Sequence, residues 1–135
     1  HVLEFLPENI ENIILLQPTN PLRPPNLLQS AYTSYQESGC DSLVTLSRNY
    51  RKLVKLGNGN MSPYNYEYGQ RSQDMEPLYF ENGLLYITKS KNILTDKIVG
   101  EKCHPFIVEH PFSEIDIDTQ EEFEYAEYIF QKYYK

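Results

Sequence analysis

The sequence lacks tryptophan, has only two cysteines, and has few basic residues for its length. Twelve Lys and Arg against nineteen Asp and Glu give a formal net charge of -7. This balance argues against a protein that holds nucleic-acid phosphates over a broad basic surface. No apolar run approaches the roughly 20 residues needed to cross a bilayer, and no secretory leader pattern is present. We therefore expect a cytoplasmic protein that binds neither nucleic acid nor membrane.

The two cysteines, Cys40 and Cys103, lie far apart in the sequence. Neither they nor His104 stand at the spacing of a zinc site, so we expect two reduced thiols. A length of 135 residues with 40% hydrophobic content suits one packed core. We therefore expect residues 1–135 to form a single domain.

The start of the chain has no methionine but has apolar residues at helical spacing: Val2, Leu3, Phe5 and Leu6. This spacing predicts the last turns of an amphipathic helix that begins further upstream. We therefore expect the chain to be a fragment of a longer protein.

The first elements alternate in the order of an α/β protein. The unbroken apolar run at 13–16 predicts a strand that is buried on both faces of a parallel sheet. Helical spacing after Pro24-Pro25 predicts a helix from Asn26 to Ser38, ended by Gly39. The β-rich segment 41–47 should then return to the sheet and complete a right-handed crossover unit.

A hairpin should interrupt this alternation. Residues 52–56, the turn Gly57-Asn58-Gly59-Asn60 and the segment from Met61 onward predict two strands joined by a turn with positive φ. The polar, Tyr-rich stretch 62–79 follows. We interpret residues 48–80 as an insertion, either an arm that reaches another subunit or a lid over a site.

The last third of the chain predicts a buried strand at 84–88, a short helix at 89–95 and an extended piece at 106–108. Thr119 and Glu122 form a capping box at the start of a final helix. The apolar positions of that helix form one stripe: Phe123, Ala126, Ile129, Phe130 and Tyr133.

Asp116 and Asp118 flank Ile117 at the end of an extended segment. Side chains two apart in extended chain point to the same side, so the two carboxylates could share one cation. Hard oxygen ligands of this kind suit Mg²⁺. The alternative is that one Asp caps the final helix and the other is solvated.

Two further polar segments are candidates for ligand binding. The stiff loop from Gln17 to Arg23 follows the first strand at the edge where α/β sheets place their ligands. Lys52 and Arg71 could supply the positive charge that an acidic ligand requires. The alternatives are a structural turn for the loop, solvated cations for Lys52 and Arg71, and a simple turn for Asn82-Gly83.

Three blocks of the sequence, in order, resemble the acylneuraminate cytidylyltransferases. Residues 15–23 (LLQPTNPLR) resemble the family's LLQPTSPLR, with Asn for Ser. Residues 72–87 (SQDMEPLYFENGLLYI) resemble RQDLPPVYRENGAIYI. Residues 115–123 (IDIDTQEEF) resemble IDIDTEEDL. The blocks span almost the whole chain.

The resemblance implies a partial Rossmann-like α/β fold of the nucleotide-diphospho-sugar transferase type, a three-layer sheet with an inserted β-hairpin dimerisation arm. The implied enzyme transfers CMP from CTP to a sialic acid-type nonulosonic acid and releases pyrophosphate. By the same resemblance Asp116 and Asp118 are catalytic and hold Mg²⁺. The implied substrate-binding residues are Gln17, Thr19, Lys52, Arg71, Gln73, Asn82 and Tyr86.

Within this set, the resemblance implies that Lys52 crosses on the arm from the second subunit of a homodimer. Lys52 and Arg71 would meet the sugar carboxylate, although Ser72 stands where the family usually has Arg. The glycine-rich phosphate loop with which the family grips CTP has no counterpart in this sequence. We therefore expect the C-terminal half of a cytidylyltransferase, inactive by itself. The alternative is a non-catalytic module for dimerisation or sugar-acid binding.

Overall fold

The computed structural model describes residues 10–134, and the helix predicted at Val2, Leu3, Phe5 and Leu6 lies outside them. The strands are β1 (Asn12–Leu15), β2 (Ser42–Asn49), β3 (Val54–Gly57), β4 (Asn60–Pro63), β5 (Leu78–Lys89) and β6 (Cys103–Ile107). The α-helices are α1 (Leu27–Ser38), α2 (Ser90–Ile93) and α3 (Gln120–Tyr133). Two short 3₁₀ turns cover Ser72–Asp74 and Pro111–Glu114.

Four strands form the main sheet in the order β1-β5-β2-β6. β5 is antiparallel to both β1 and β2, whereas β2 and β6 are parallel. It follows that β1, β2 and β6 all run in one direction and that their carboxyl ends meet at one edge of the sheet. The predicted mixed α/β class is confirmed, while the Rossmann-like type stays a prediction.

The prediction for the first strand was right about its position and wrong about its surroundings. Within residues 10–134, β1 is an edge strand and does not lie inside a parallel sheet: its partner is the antiparallel β5, with Ile14 opposite Ile87. Ile14 and Leu15 remain 41% and 38% exposed. β5 also lies between β1 and β2, so the two strands that α1 connects are not neighbours.

The main core lies between α1 and one face of the sheet. Leu27, Ala31 and Tyr35, one helical turn apart, are the buried positions of α1. They pack with Leu43 of β2 and with apolar residues of β5. Gly39 ends the helix with φ of 65°, a conformation that glycine adopts without steric cost.

The predicted hairpin is present as β3 and β4, which form a separate two-stranded sheet. Its turn is made by Asn58 and Gly59 with φ of 50° and 77°, as the sequence predicted. β3 is exposed at every position, and Leu56 is 81% exposed. Its role as a dimerisation arm, and the limits 48–80 of the insertion, stay predictions.

Helix α3 begins with the predicted capping box. The Thr119 side chain accepts a hydrogen bond from the Glu122 backbone N–H, and the Glu122 carboxylate accepts one from Thr119. The expected apolar stripe is only partly buried, because Ala126 and Ile129 enter a second core cluster with Phe112 while the outer aromatic positions stay half exposed. Within residues 10–134, no helix is long and apolar enough to cross a membrane.

Candidate functional site

A cavity of about 410 Å³ lies at the edge of the sheet where β1, β2 and β6 end. Open α/β sheets characteristically place ligands at this edge. The cavity is lined by three segments that are distant in sequence: the loop after β1, residues 80–86 of β5, and the chain after β6. Its wall includes Gln17, Asn20, Asn82, Gly83, Tyr86 and Asp116. Each of the three recognised motifs therefore contributes to one cavity.

Arg23 holds the loop after β1 in place. Its guanidinium donates hydrogen bonds to the backbone oxygens of Leu84 (3.0 Å), Gln17 (3.1 Å) and Pro21 (3.2 Å). Partial burial lowers the pKa of Arg23 from its usual value, although an arginine remains charged in proteins. Arg23 is therefore a structural clamp between the loop and β5 and not a solvated surface cation.

Asn20 and Asn82 connect the loop to β5 from the cavity side. The Asn20 side chain is 2% exposed, and its Nδ2 donates to the backbone oxygen of Asn82 at 2.6 Å. The Asn82 amide donates to the Ser47 hydroxyl at 3.0 Å and accepts the Leu84 N–H at 3.2 Å. Asn82 therefore lines the cavity but uses both ends of its side-chain amide inside the protein.

Gly83 lies inside β5 rather than in a turn before it. Its φ of 72° belongs to a bulge. Glu81 pairs with Leu46 and Tyr86 pairs with Val44, so residues 82–85 of β5 lie opposite the single residue Thr45 of β2. A Cβ atom on Gly83 would lie 2.2 Å from Oε1 of Gln17. The absence of a side chain here lets the Gln17 amide lie against the strand.

Tyr86 forms another part of the wall. Its hydroxyl donates a hydrogen bond to Oε2 of Glu81 at 3.1 Å. Burial, with a smaller contribution from the Glu81 carboxylate, raises the pKa of Tyr86 to about 12. At neutral pH the phenol is therefore a neutral hydrogen-bonding group, not an anion.

Carboxylates dominate the charge of the cavity wall. Glu81, Glu114 and Asp116 line it, and no Lys or Arg in the described part of the chain does. Within residues 10–134 no three acidic, histidine or cysteine side chains are grouped closely enough to hold a metal on their own. An anionic ligand would therefore need cations that this wall does not supply.

The segment with the two predicted metal ligands is extended chain outside the sheet. Ile115 is buried and Ile117 is half-buried, while Asp116 and Asp118 between and beyond them are exposed. This alternation is what the prediction of two carboxylates on one side requires. Asp116 lines the cavity, whereas Asp118 is not among its lining residues and its backbone N–H is bonded to Glu122.

The remaining predicted substrate-binding residues are not among the described residues that line this cavity. The Lys52 ammonium bonds to the backbone oxygen of Gln70 and lies 5.1 Å from the ring centroid of Tyr66. Arg71 is 72% exposed and pairs with Asp74 at 2.8 Å. Gln73 is exposed. Thr19 lies next to the wall, where its backbone oxygen accepts the Ile117 N–H at 2.7 Å.

A larger cavity, about 660 Å³, lies at the other end of β1, beside Asn12, Cys40 and Lys89. Size alone would favour it as a ligand site. It contains no residue of the predicted set, and it lies beyond the amino end of β1 rather than beyond the carboxyl ends of the parallel strands. We therefore take the 410 Å³ cavity as the candidate site.

Sequence reasoning found Gln17, Asn82, Tyr86 and Asp116 but overlooked Asn20, Glu81 and Glu114. The first two have a signal in the sequence, because Asn20 lies in the loop of Gln17 and Glu81 immediately precedes Asn82. Glu114 comes from the 3₁₀ turn after β6, and its place at the cavity depends on long-range packing that no local pattern encodes.

Comparison with known proteins agrees with the motifs. No protein-family model matches the chain. The chain is 28% identical over 124 residues to an N-acylneuraminate cytidylyltransferase of Streptococcus agalactiae serotype V, a match covering 86% of this chain and 29% of the relative. It is 25% identical over 114 residues to a CMP-N,N'-diacetyllegionaminic acid synthase of Legionella pneumophila, covering 81% of this chain and 49% of the relative.

The chain thus spans less than half the length of these curated relatives. The matches nevertheless extend over most of the sequence described above. Over more than four fifths of its length, this chain is a distant homologue of the acylneuraminate cytidylyltransferases, as its three motifs predicted.

Proposed function

We propose that this chain provides the sugar-acid side of a CMP-sugar synthetase, an enzyme that transfers CMP from CTP to a sialic acid-type nonulosonic acid and releases pyrophosphate. The observation that supports this most directly is the convergence of Gln17, Asn82, Tyr86 and Asp116, from three separate motifs, on one cavity. The homology to proteins named N-acylneuraminate cytidylyltransferase and CMP-N,N'-diacetyllegionaminic acid synthase supports the same proposal.

The cavity wall suits a polyhydroxylated ligand. Gln17 offers an amide that can donate and accept, and Tyr86 offers a neutral phenol oxygen. The loop that carries Gln17 is stiffened by Pro18 and Pro21 and clamped by Arg23, so it loses little conformational freedom when a ligand binds. Directed hydrogen bonds from a rigid wall are what the orientation of one sugar hydroxyl toward a phosphate requires.

Asp116 and Asp118 would hold Mg²⁺ in this proposal. Two exposed carboxylates suit this ion, which takes one or two protein carboxylates and completes its shell with water and phosphate oxygens. When bound, the ion offsets the charge that develops on the phosphates. The residues of this chain position Asp116: buried Ile115 anchors its backbone on one side, and the Ile117 N–H anchors it to Thr19 on the other.

We further propose that the working unit is a homodimer. A sugar acid carries a carboxylate, and in the part of the chain that the structure describes the cavity wall presents Glu81, Glu114 and Asp116 without a cation. Lys52 and Arg71 lie on or beside the hairpin and are free of the cavity of their own chain. A second copy could bring these cations to the cavity, and the exposed hairpin residues Leu56 and Met61 would supply apolar contact area.

The test uses the longer protein of which we propose this chain is a part, called the parent protein below, incubated with CTP, Mg²⁺ and N-acetylneuraminic or diacetyllegionaminic acid. We expect CMP-sugar and pyrophosphate in equal amounts, and expect neither product from the isolated 135-residue chain. Calorimetric titration of the same acids into the parent protein should show binding that does not depend on CTP. Binding of the sugar acid with no turnover under any nucleotide would instead favour the alternative, a non-catalytic sugar-acid-binding module.

A further inference from the structure

Asn20 has one half of its side-chain amide bonded and the other half free. Nδ2 donates to the Asn82 backbone oxygen at 2.6 Å, and the residue is 2% exposed. Within residues 10–134, Oδ1 of Asn20 is buried and has no hydrogen-bond partner. Rotating the amide would place Oδ1 against the carbonyl oxygen of Asn82, so the contact itself fixes which atom is the nitrogen.

A buried acceptor without a donor is uncommon and destabilising, so its position in the fold calls for an explanation. Asn20 is part of the wall of the candidate cavity, next to Gln17 and Gly83. Other buried polar atoms beside it have hydrogen-bond partners: Nδ2 of Asn20 is bonded, and the Asn82 side-chain amide is bonded through both its nitrogen and its oxygen. Oδ1 therefore lacks one hydrogen-bond donor, and it belongs to a residue of the cavity wall.

We propose that Oδ1 of Asn20 accepts a hydrogen bond from a hydroxyl or acylamido N–H of the bound sugar acid, which makes Asn20 a specificity-determining residue. This inference rests on the proposed function. A sugar acid has several such donors, and its carboxylate cannot be one of them because it only accepts hydrogen bonds. In the bound state, the hydroxylated or acylamido side of the sugar therefore contacts Asn20, and the carboxylate lies away from it.

Gln17 lies beside Asn20 at the cavity wall. The end of Gln17 lies against Gly83, and Nδ2 of Asn20 faces the same glycine. Gln17 is half-buried on a flexible stem, so its amide can turn aside by side-chain rotation alone. The ligand then bonds Gln17 and Asn20 together, and the two residues act as one recognition edge.

The test titrates N-acetylneuraminic acid, and analogues that each lack one hydroxyl or the acylamido group, into the parent protein. In the unchanged protein we expect one analogue to bind roughly tenfold more weakly, because it leaves Oδ1 unpaired. In Asn20→Ala the same analogue and the complete sugar should bind equally well. Asn20→Leu, which is close to asparagine in shape but offers no acceptor, serves if the alanine variant does not fold.

The matched control is Asn92→Ala. Asn92 is also a buried amide, bonded to the backbone oxygen of Asp41 and to Thr88, and is not among the residues that line the cavity. This variant should lose stability but keep the preference among analogues. An unchanged preference in Asn20→Ala or, if that variant does not fold, in Asn20→Leu overturns the inference and leaves a bound water as the partner of Oδ1. No binding of any sugar acid by the unchanged protein overturns the proposed function with it.

Discussion

The backbone N–H of Ile117 donates a 2.7 Å hydrogen bond to the backbone oxygen of Thr19. Ile117 lies between the two predicted metal ligands, and Thr19 lies in the loop that carries Gln17. This one bond ties together the first and last of the recognised motifs. A carboxylate that is expected to hold a cation and an amide that is expected to hold a sugar are thereby fixed next to each other.

Asp116 should be more important for catalysis than Asp118, because only Asp116 lines the cavity in the described chain. In the parent enzyme we expect Asp116→Asn to lower kcat/KM on the order of a hundredfold or more, since several kcal/mol of charge stabilisation would be lost. Asp118→Asn should have a smaller effect. Steady-state kinetics at several Mg²⁺ concentrations measure both.

Glu101→Gln provides the control for these variants, because Glu101 is an exposed acidic residue in the turn before β6. It should leave kcat/KM unchanged. Thermal unfolding of all three variants should show small shifts, since each altered side chain is exposed. Normal turnover in a protein that carries both Asp changes would refute the metal role.

Gly83 and Gly59 form a matched pair, because both have positive φ, 72° and 77°, but different surroundings. A Cβ on Gly83 would meet Oε1 of Gln17 at 2.2 Å, whereas nothing lies within 4 Å of a Cβ on Gly59. Gly83→Ala and Gly59→Ala should each cost about 1–2 kcal/mol in denaturant unfolding for the backbone conformation. Only Gly83→Ala should also weaken sugar-acid binding, because it displaces Gln17.

Equal binding by the two glycine variants would show that the position of Gln17 does not matter for the ligand. The comparison remains informative when both proteins lose stability, because the strain common to both cancels. Calorimetric titration at a temperature where both variants are folded is the measurement.

The sequence predicted those features that depend on neighbours along the chain. The Asn58-Gly59 turn, the end of α1 at Gly39 and the capping box of Thr119 are set by local conformational preferences, and each was found where expected. Features set by long-range pairing were missed. The run 13–16 is equally apolar in a central or an edge strand, so its exposure followed only from its pairing with β5.

The same distinction applies to the candidate site. Motif order identified Gln17, Asn82, Tyr86 and Asp116 as residues of one site, and the fold brings them to one cavity. The role of Gly83 depends on where a side chain from another segment lies, and the pattern Asn-Gly also fits an ordinary turn. An unpaired oxygen on Asn20 is likewise a property of packing, which the sequence does not display.

The capping box of α3 should make stability depend on acid pH. Hydrogen bonds from the backbone N–H of Asp118 and from Thr119 lower the pKa of Glu122 below its usual 4.5. The stabilisation is therefore complete above that pH and is lost as the pH falls through the lowered pKa. Glu122→Gln should lower Tm at neutral pH, and the difference from the unchanged protein should shrink in acid.

Glu121→Gln removes a charge from the same first turn of α3 without touching the capping box, so it controls for the effect of the helix dipole. The Tm difference between the two variants, followed from pH 7 into acid by circular dichroism, isolates the hydrogen-bonded carboxylate. A constant difference across this range would contradict the assignment.

The dimer proposal makes a prediction about mixtures of inactive proteins. If Lys52 acts in the cavity of the partner, a parent protein with Lys52→Ala and one with Asp116→Asn should each be inactive. After subunit exchange, each mixed dimer would contain one intact site, composed of Asp116 from one chain and Lys52 from the other. Random exchange should restore about a quarter of the unchanged activity, because half of the dimers are mixed and half of their sites are intact.

The control for exchange is a mixture of Asp116→Asn with Asp118→Asn. These two residues belong to the same chain and the same segment, so every site in a mixed dimer keeps one defect, and activity should not rise above the mean of the two variants. Recovery in the first mixture but not in the second would assign Lys52 to the partner's cavity. Failure of both mixtures, with exchange verified by mass measurement of tagged subunits, would mean that Lys52 serves its own chain or none, and that the cation for the acidic wall must come from elsewhere in the protein.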